Sequence, residues 1–267
     1  MSPLVVLVTG ASTGIGRAIA DHLHARGHVV VGVSRSISRQ PAVPFERHDL
    51  DVTDEAAVEA RVAAIVAARG RLDAVVSAAG YVLAGAIEDT PLEAARAQLA
   101  TNLHGAMIVA RAALPAMRRA GRGTIVQIGS IAGLVPMPFQ GWYSASKAAL
   151  TAASRALRLE VAPHGVSVVV VEPGDFKTPI TDNRVVRAPA GSAYADTFAR
   201  TLAIVRRDET AAAPPDAVAA CVERVLHARR PRATYLVGPW HQRAAARLRP
   251  LVPARAFDAV LGKLYGL

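Results

Sequence analysis

The sequence has 267 residues, 52% of them apolar, which is enough for one large core or at most two small domains. A formal charge of +10 raises anionic partners, but the arginines are scattered and only 4% of residues are aromatic, so nucleic acid is not expected, for want of a stacking platform. A single cysteine, Cys221, excludes an internal disulfide and no apolar leader opens the chain, so a cytoplasmic location is expected; every apolar run falls short of the roughly 20 residues that span a bilayer, which excludes integral membrane association.

In chain order, "LVVLVTG" is an apolar run ended by a turn glycine, and "GIGRAIADHLHARG" carries apolar residues at helical spacing, which predicts strand, tight turn and helix. "HVVVGVSRS" predicts a second buried strand, "DEAAVEARVAAIVAARG" a helix, "LDAVVSAAG" a strand and "PLEAARAQLATNLHGAMIVARAALPAMRRAG" one long helix. "GTIVQIGS", "YSASKAALTAASRALRLEVAPHG" and "VSVVVVEPG" continue as strand, helix and strand. Such alternation, with strands apolar on both faces, implies an α/β fold: a doubly wound parallel sheet covered by helices on both faces, in one domain over 1–267. The alternation stops at 176–215, a polar stretch expected to form a lid over a substrate. A helix, "PDAVAACVERVLHARR", and a strand, "RATYLVG", precede a C-terminal helical extension over 240–267. There Phe257, Val260, Leu261 and Leu264 form an apolar stripe expected to pack on the protein itself, with membrane docking as the alternative.

Residues 9–16, "TGASTGIG", join the first strand to the first helix. A helix N-terminus in that position offers free N–H groups and a positive dipole end to a pyrophosphate, and glycines let the backbone approach it. The spacing, three residues between Gly10 and Gly14 and one between Gly14 and Gly16, resembles the short-chain dehydrogenase/reductase family in its compact form. The resemblance covers about residues 4–178 and implies a Rossmann-like fold with a nicotinamide cofactor on Gly10, Ser12, Thr13, Gly14, Ile15 and Gly16. After the second strand, an acidic residue would hold the 2′-hydroxyl of NAD; Ser34, Arg35 and Ser36 stand there instead, a phosphate-pairing guanidinium between two hydroxyls, so NADP(H) is expected. Asp51 and Val52 resemble the family's adenine-contacting pair, although "DVTDE" would serve equally as a helix cap. Ala79 and Gly80 keep the small profile an adenosine needs, while Ala78 departs from the family's usual asparagine. "EPGDFKT" resembles the nicotinamide loop, with Pro173 and Gly174 making the turn and Thr178 reaching the carboxamide.

Tyr143 and Lys147 stand at i and i+4, on one face of a helix. Only Lys147, Lys177 and Lys263 among the 31 basic residues are lysines, so this placement is selective. An ammonium there is expected to lower the phenol from its usual value of about 10, making Tyr143 a proton donor to a carbonyl or an acceptor from an alcohol. By resemblance, Ser130 orients the substrate, and Asn102, one of two asparagines, extends a proton relay toward the lysine. The four together imply an oxidoreductase that moves hydride between NADP(H) and a hydrophobic ketone or secondary alcohol. Two alternatives remain: a sensor that binds NADP(H) without turnover, and a basic peripheral membrane or nucleic-acid binder using the C-terminal arginines.

The loop between Ser130 and Tyr143 must pass the substrate, so Leu134, Met137, Phe139 and Trp142 join those two residues as expected substrate contacts. Arg184, Arg187 or Lys177 in the lid would be placed to pair with an anionic tail. Family likeness also implies a homodimer or homotetramer. His22 and His24, two apart on a helix, point in different directions, so no metal site is expected, and Cys221 reads as a buried packing residue.

Overall fold

The computed structural model describes residues 2–267, leaving Met1 of the expected domain outside. The chain runs β1 (Val5–Thr9), α1 (Gly14–Ala25), β2 (Val29–Ser34), β3 (Glu46–Asp49), α2 (Glu55–Arg69), β4 (Ala74–Ser77), β5 (Leu83–Ala84), α3 (Leu92–Leu99), α4 (Ala106–Ala120), β6 (Gly123–Ile128) and α5 (Gly141–Val161). It continues through β7 (Val166–Pro173), β8 (Val185–Val186), α6 (Ala195–Ala211), α7 (Asp216–His227), β9 (Thr234–Val237), α8 (Trp240–Leu248) and α9 (Ala254–Leu264). Seven strands form one sheet in the order β3-β2-β1-β4-β6-β7-β9, every pair parallel. The chain turns back at β1, so the crevice between the ends of β1 and β4 is the ligand position of an open α/β sheet.

Side-chain alternation along the strands explains why both faces need helices. In β1, Val6 and Val8 join a core with Ile19 and Leu23 of α1 and Val218 and Val222 of α7. Val5 and Leu7 point the other way, into a core with Val62 of α2 and Val109 and Met117 of α4. Each buried Val, Leu or Ile contributes about 1.5–3 kcal/mol, so the two faces together hold the sheet flat against its helices.

Three features differ from the sequence reading. β3, "ERHD", is an extra edge strand paired only with β2; with no apolar alternation, nothing in its composition marked it. The expected long helix is broken into α3 and α4 by a π-helical turn, Ala100–Gly105, which carries Asn102. The stretch 176–215 is also more structured than a polar loop: β8 pairs with β5 and the 17-residue α6 follows.

Candidate active site

The phosphate loop is shaped by what its glycines lack. Gly10 has φ +67, and a Cβ there would lie 2.8 Å from the backbone of Ala78 and Ala79. A Cβ on Gly16 would stand 2.3 Å from the Gly10 carbonyl oxygen, so α1 can start this close to β1 only with glycine. Thr13 caps α1 in extended backbone without spending its side chain on the helix N–H groups. Ser12 is half-buried beside it, and Ile15 packs against the core. A Cβ on Gly14 would sit 3.5 Å from the Thr178 side chain, which places the loop after β7 against the phosphate loop.

Around that loop the other cofactor candidates fall at strand ends. Ser34 ends β2 with its hydroxyl buried and without a partner among the described residues. Arg35 is exposed and forms no ion pair among the described residues. Ser36 is half-buried next to it. Asp51 accepts from the Thr53 backbone N–H at 2.9 Å and the Thr53 hydroxyl at 2.8 Å, while Asp54 is the residue that caps α2, accepting from Ala57 N–H at 3.0 Å. Val52 is buried against Gly105. At the departure from the family pattern, the Thr9 hydroxyl accepts from the N–H groups of both Ala78 and Ala79 at 3.1 Å, and so ties the ends of β1 and β4 together. Pro173 ends β7, and Gly174 follows, its N–H donating to Val237 at 2.8 Å.

Strand β6 and helix α5 bring the candidate catalytic side chains together. Ser130 follows β6; its N–H donates to Glu172 at 2.6 Å, and its hydroxyl oxygen accepts from Ala132 N–H at 3.1 Å. Tyr143 and Lys147 share a face of α5, with the ammonium 5.9 Å from the phenol ring centre. Lys147 donates to the Ile128 carbonyl at 2.8 Å, and Glu172 also accepts from the Thr151 hydroxyl at 2.8 Å. Asn102 grips Tyr81 from both sides: its Oδ1 accepts from Tyr81 N–H and its Nδ2 donates to the Tyr81 carbonyl, each at 3.1 Å. The same Nδ2 donates to Ser146 Oγ at 3.1 Å, and Ser146 donates to the Tyr143 carbonyl at 2.7 Å. Only Gly80 separates Asn102 from the lysine, since a Cβ there would lie 3.0 Å from Asn102 Oδ1 and 3.7 Å from Lys147 Nζ.

Burial sets the charge states. Tyr143 keeps part of its surface accessible, yet its hydroxyl lies deep enough that burial pushes the phenol up to about 12, against a lowering hydrogen bond with Ser130. The expected lowering by Lys147 is therefore absent: the ammonium is turned to the Ile128 carbonyl, and burial is the largest influence on the phenol. Lys147 is itself brought down to about 8 by burial, with the negative charge of Glu172 opposing. The buried Glu172 carboxyl is raised by desolvation, opposed by its bonds to Thr151 and Ser130 and by Lys147.

The profile of the short chain dehydrogenase family matches residues 4–187, a stretch that holds the glycine loop and all four candidate catalytic residues. The chain belongs to that family. Over 269 residues, and the full length of both chains, this dehydrogenase is 36% identical to a 3-ketodihydrosphingosine reductase of Bacteroides thetaiotaomicron. It is 33% identical to an NADPH-dependent 3-dehydrocapnine reductase of Ornithobacterium rhinotracheale, covering 96% of this chain and 95% of the relative. The crystal structure of a short-chain dehydrogenase from Streptomyces avermitilis superposes with a TM-score of 0.82 at 31% identity, over 98% of this chain and 97% of that one. The dehydrogenase is thus an oxidoreductase of a family that binds a nicotinamide cofactor and acts on small molecules.

On the expected substrate side the dehydrogenase divides its residues. Phe139, at φ +58, packs edge-on against Phe198 of α6 and against Tyr194, fastening the loop to the stretch expected as a lid. Met137 accepts a hydrogen bond from the Tyr265 hydroxyl at 3.3 Å, and Trp142 is half-buried with its indole N–H unpartnered among the described residues. Leu134 turns away, packing against a cluster with Leu236, Phe257 and Leu261. Arg184 is buried and pairs with Glu209 through Nη2, while its Nε and Nη1 have no partner among the described residues. Both groups act on Tyr143 through their charges.

Packing also reveals residues that spacing hid. Glu172 bonds to the Ser130 backbone and raises the Lys147 ammonium; its one signal was a lone acid closing the apolar run "VSVVVVEPG". Ser146 and Glu209 carried none. His28, Glu223 and His227 gather three ligand atoms within 4.8 Å, a group that sequence distance concealed. Leu4 N–H donates to His28 Nδ1 at 3.2 Å, which leaves the ring proton on Nε2, and Arg26 and His22 already hold Glu223. That bonding does not suit a cation. Cys221 is buried, as expected.

Proposed function

We propose that this dehydrogenase is an NADPH-dependent ketoreductase acting on a long-chain amphiphile of the 3-ketodihydrosphingosine kind, with Tyr143 as the general acid. The observation that carries the reading is the meeting of Ser130, Tyr143 and Lys147 at the end of β6, beside a glycine loop shaped for a pyrophosphate. In this reading the Ser130 hydroxyl donates to the substrate carbonyl oxygen, and Tyr143 delivers its proton to the same oxygen. The Lys147 ammonium would donate to the ribose of the bound cofactor, and Asn102, through Ser146, fixes the backbone of Tyr143. The nicotinamide, when bound, supplies the hydride that makes the carbonyl carbon an alcohol carbon.

The chain has groups that suit such a cofactor: the first N–H groups of α1, the unpartnered Ser34 hydroxyl and the unpaired Arg35, with Gly10 and Gly16 leaving room for a pyrophosphate. Arg35 matches a 2′-phosphate and gives the preference for NADP(H). The relative named as NADPH-dependent supports that preference, and the two named reductases support reduction of a ketone. The test follows NADPH absorbance with 3-ketodihydrosphingosine and with small hydrophobic ketones, beside NADH and Tyr143→Phe. Turnover with NADPH that disappears in the variant is the expected result. NADPH binding without turnover on any of these substrates would overturn the reading in favour of a sensor.

A further inference from the structure

The apolar stripe expected to pack inward does so only in part. Phe257 and Leu261 join the cluster around Ile131 and Val135, but Val260 and Leu264 stay 69% and 61% exposed. Six of the ten exposed large apolar side chains among the described residues fall within 240–267: Trp240, Leu248, Leu251, Val260, Leu264 and Leu267. They follow helical spacing. Trp240, Ala244 and Leu248 make one stripe along α8, and Ala256, Val260 and Leu264 another along α9. Trp240 and Leu251 are 74% and 79% exposed, which a monomer in water has no reason to maintain at so many neighbouring positions.

The same segment is basic, with Arg243, Arg247, Arg249, Arg255 and Lys263 against the single acid Asp258. Beside α8 lies a groove of about 890 Å³, lined by Arg155, Arg224, Arg232, Arg243 and Arg247 and by no carboxylate. None of these arginines forms an ion pair among the described residues. On α8, Arg243 and Arg247 lie one turn apart and flank the Trp240–Leu248 stripe, so charge and apolar surface adjoin.

We propose that residues 240–267 form a docking face for an anionic phospholipid bilayer, with the stripes entering the interface and the arginine groove receiving phosphate headgroups. A bilayer matches both halves of this face. An acidic protein would satisfy the arginines without needing the indole and leucines. A second copy of this chain, placed by a two-fold axis through the groove, would bring arginines to arginines with no carboxylate in the lining to pair them.

The inner side of the segment meets the substrate side of the site. Gln242 on α8 accepts from Asp175 N–H at 2.9 Å, Tyr265 donates to Met137, and the Thr201 hydroxyl of α6 donates to the Tyr265 carbonyl at 2.9 Å. A docked enzyme therefore has its substrate loop one helix layer from the lipid, where a water-insoluble ketone is concentrated.

The decisive experiment is sedimentation of the full chain with vesicles containing phosphatidylglycerol and with vesicles of phosphatidylcholine alone. Light scattering of the free protein and NADPH turnover on a short soluble ketone run alongside. Binding to the anionic vesicles, weakened by salt and reduced about tenfold or more by Arg243→Glu with Arg247→Glu, is expected. Trp240→Ser with Leu251→Ser changes two exposed positions and is expected to weaken binding without altering turnover or folding. It keeps the test intact if the charge-reversed variant does not fold. Failure to bind, equal binding to neutral vesicles, or binding that neither variant changes would overturn the proposal. So would an oligomer that both variants dissociate while vesicles stay unbound, since that result gives the face to a second copy. None of these readings depends on the identity of the substrate.

Discussion

The glycine loop and the candidate reaction row are built in opposite ways. The loop works by missing atoms: Gly10 and Gly16 bring backbone to backbone, and a single Cβ at either would fill the space. The reaction row works by keeping ionisable side chains out of water, with Lys147 and Glu172 buried beside Tyr143 and the Arg184–Glu209 pair close enough to act on the phenol. One half should therefore fail through shape and the other through charge. Variants can test that division directly.

The largest effect belongs to the phenol. Tyr143→Phe removes the proposed proton donor and leaves the glycine loop untouched, so turnover should fall by about 10²–10⁴-fold with NADPH affinity retained. Parallel loss of affinity, measured by NADPH fluorescence titration, would show that the two halves are not separable. Next in size is the buried ion pair. Glu209→Ala leaves the Arg184 guanidinium buried and without its partner, which costs about 3–5 kcal/mol of stability in denaturant unfolding. Arg184→Met combined with Glu209→Leu should recover much of that loss, because the penalty comes from an uncompensated charge.

Shape comes third. Gly16→Ala forces a methyl group to within 2.3 Å of the Gly10 carbonyl, and backbone cannot yield as a flexible side chain does. The expected cost is about 1–3 kcal/mol in stability, with NADPH affinity lost while the Lys147 titration is unchanged. A variant that binds NADPH normally would mean the loop relaxes and that its tightness is not needed.

These two halves were also unequally legible in the sequence. The loop and the Tyr143–Lys147 pair were readable because their chemistry depends on local spacing: glycines at a strand-to-helix turn, and two side chains one helical turn apart. Six of the seven strands of the main sheet were legible as apolar runs, but not β3, whose "ERHD" has no apolar period, and the strand order came only with the structure. Glu172, Ser146 and Glu209 depend on contacts across 42, 44 and 25 positions, to Ser130, Asn102 and Arg184, which no local pattern encodes. The π-turn at Asn102 was hidden because a π-helical turn keeps the composition of the helices around it. The same gap misled the reading of Tyr143: a neighbouring ammonium was visible in the spacing, but the burial that raises the phenol was not.

The smallest effect separates charge from shape inside the reaction row itself. Burial brings the Lys147 ammonium down to about 8, so the reduction rate should fall as pH rises through that value and the ammonium loses its proton. The Glu172 charge acts to raise Lys147, and removing it lets the ammonium lose its proton more readily. Glu172→Gln keeps a side chain of the same size with an oxygen to accept from Ser130 or Thr151. The alkaline limb of the pH–rate profile should then move to lower pH, with little change in the rate well below it. A limb that stays in place would mean that the raised carboxyl of Glu172 is already protonated at the working pH, leaving it to position Ser130 by hydrogen bonding alone. A uniform loss of rate at every pH would instead show that the carboxylate holds the geometry of Ser130 and that its charge is secondary.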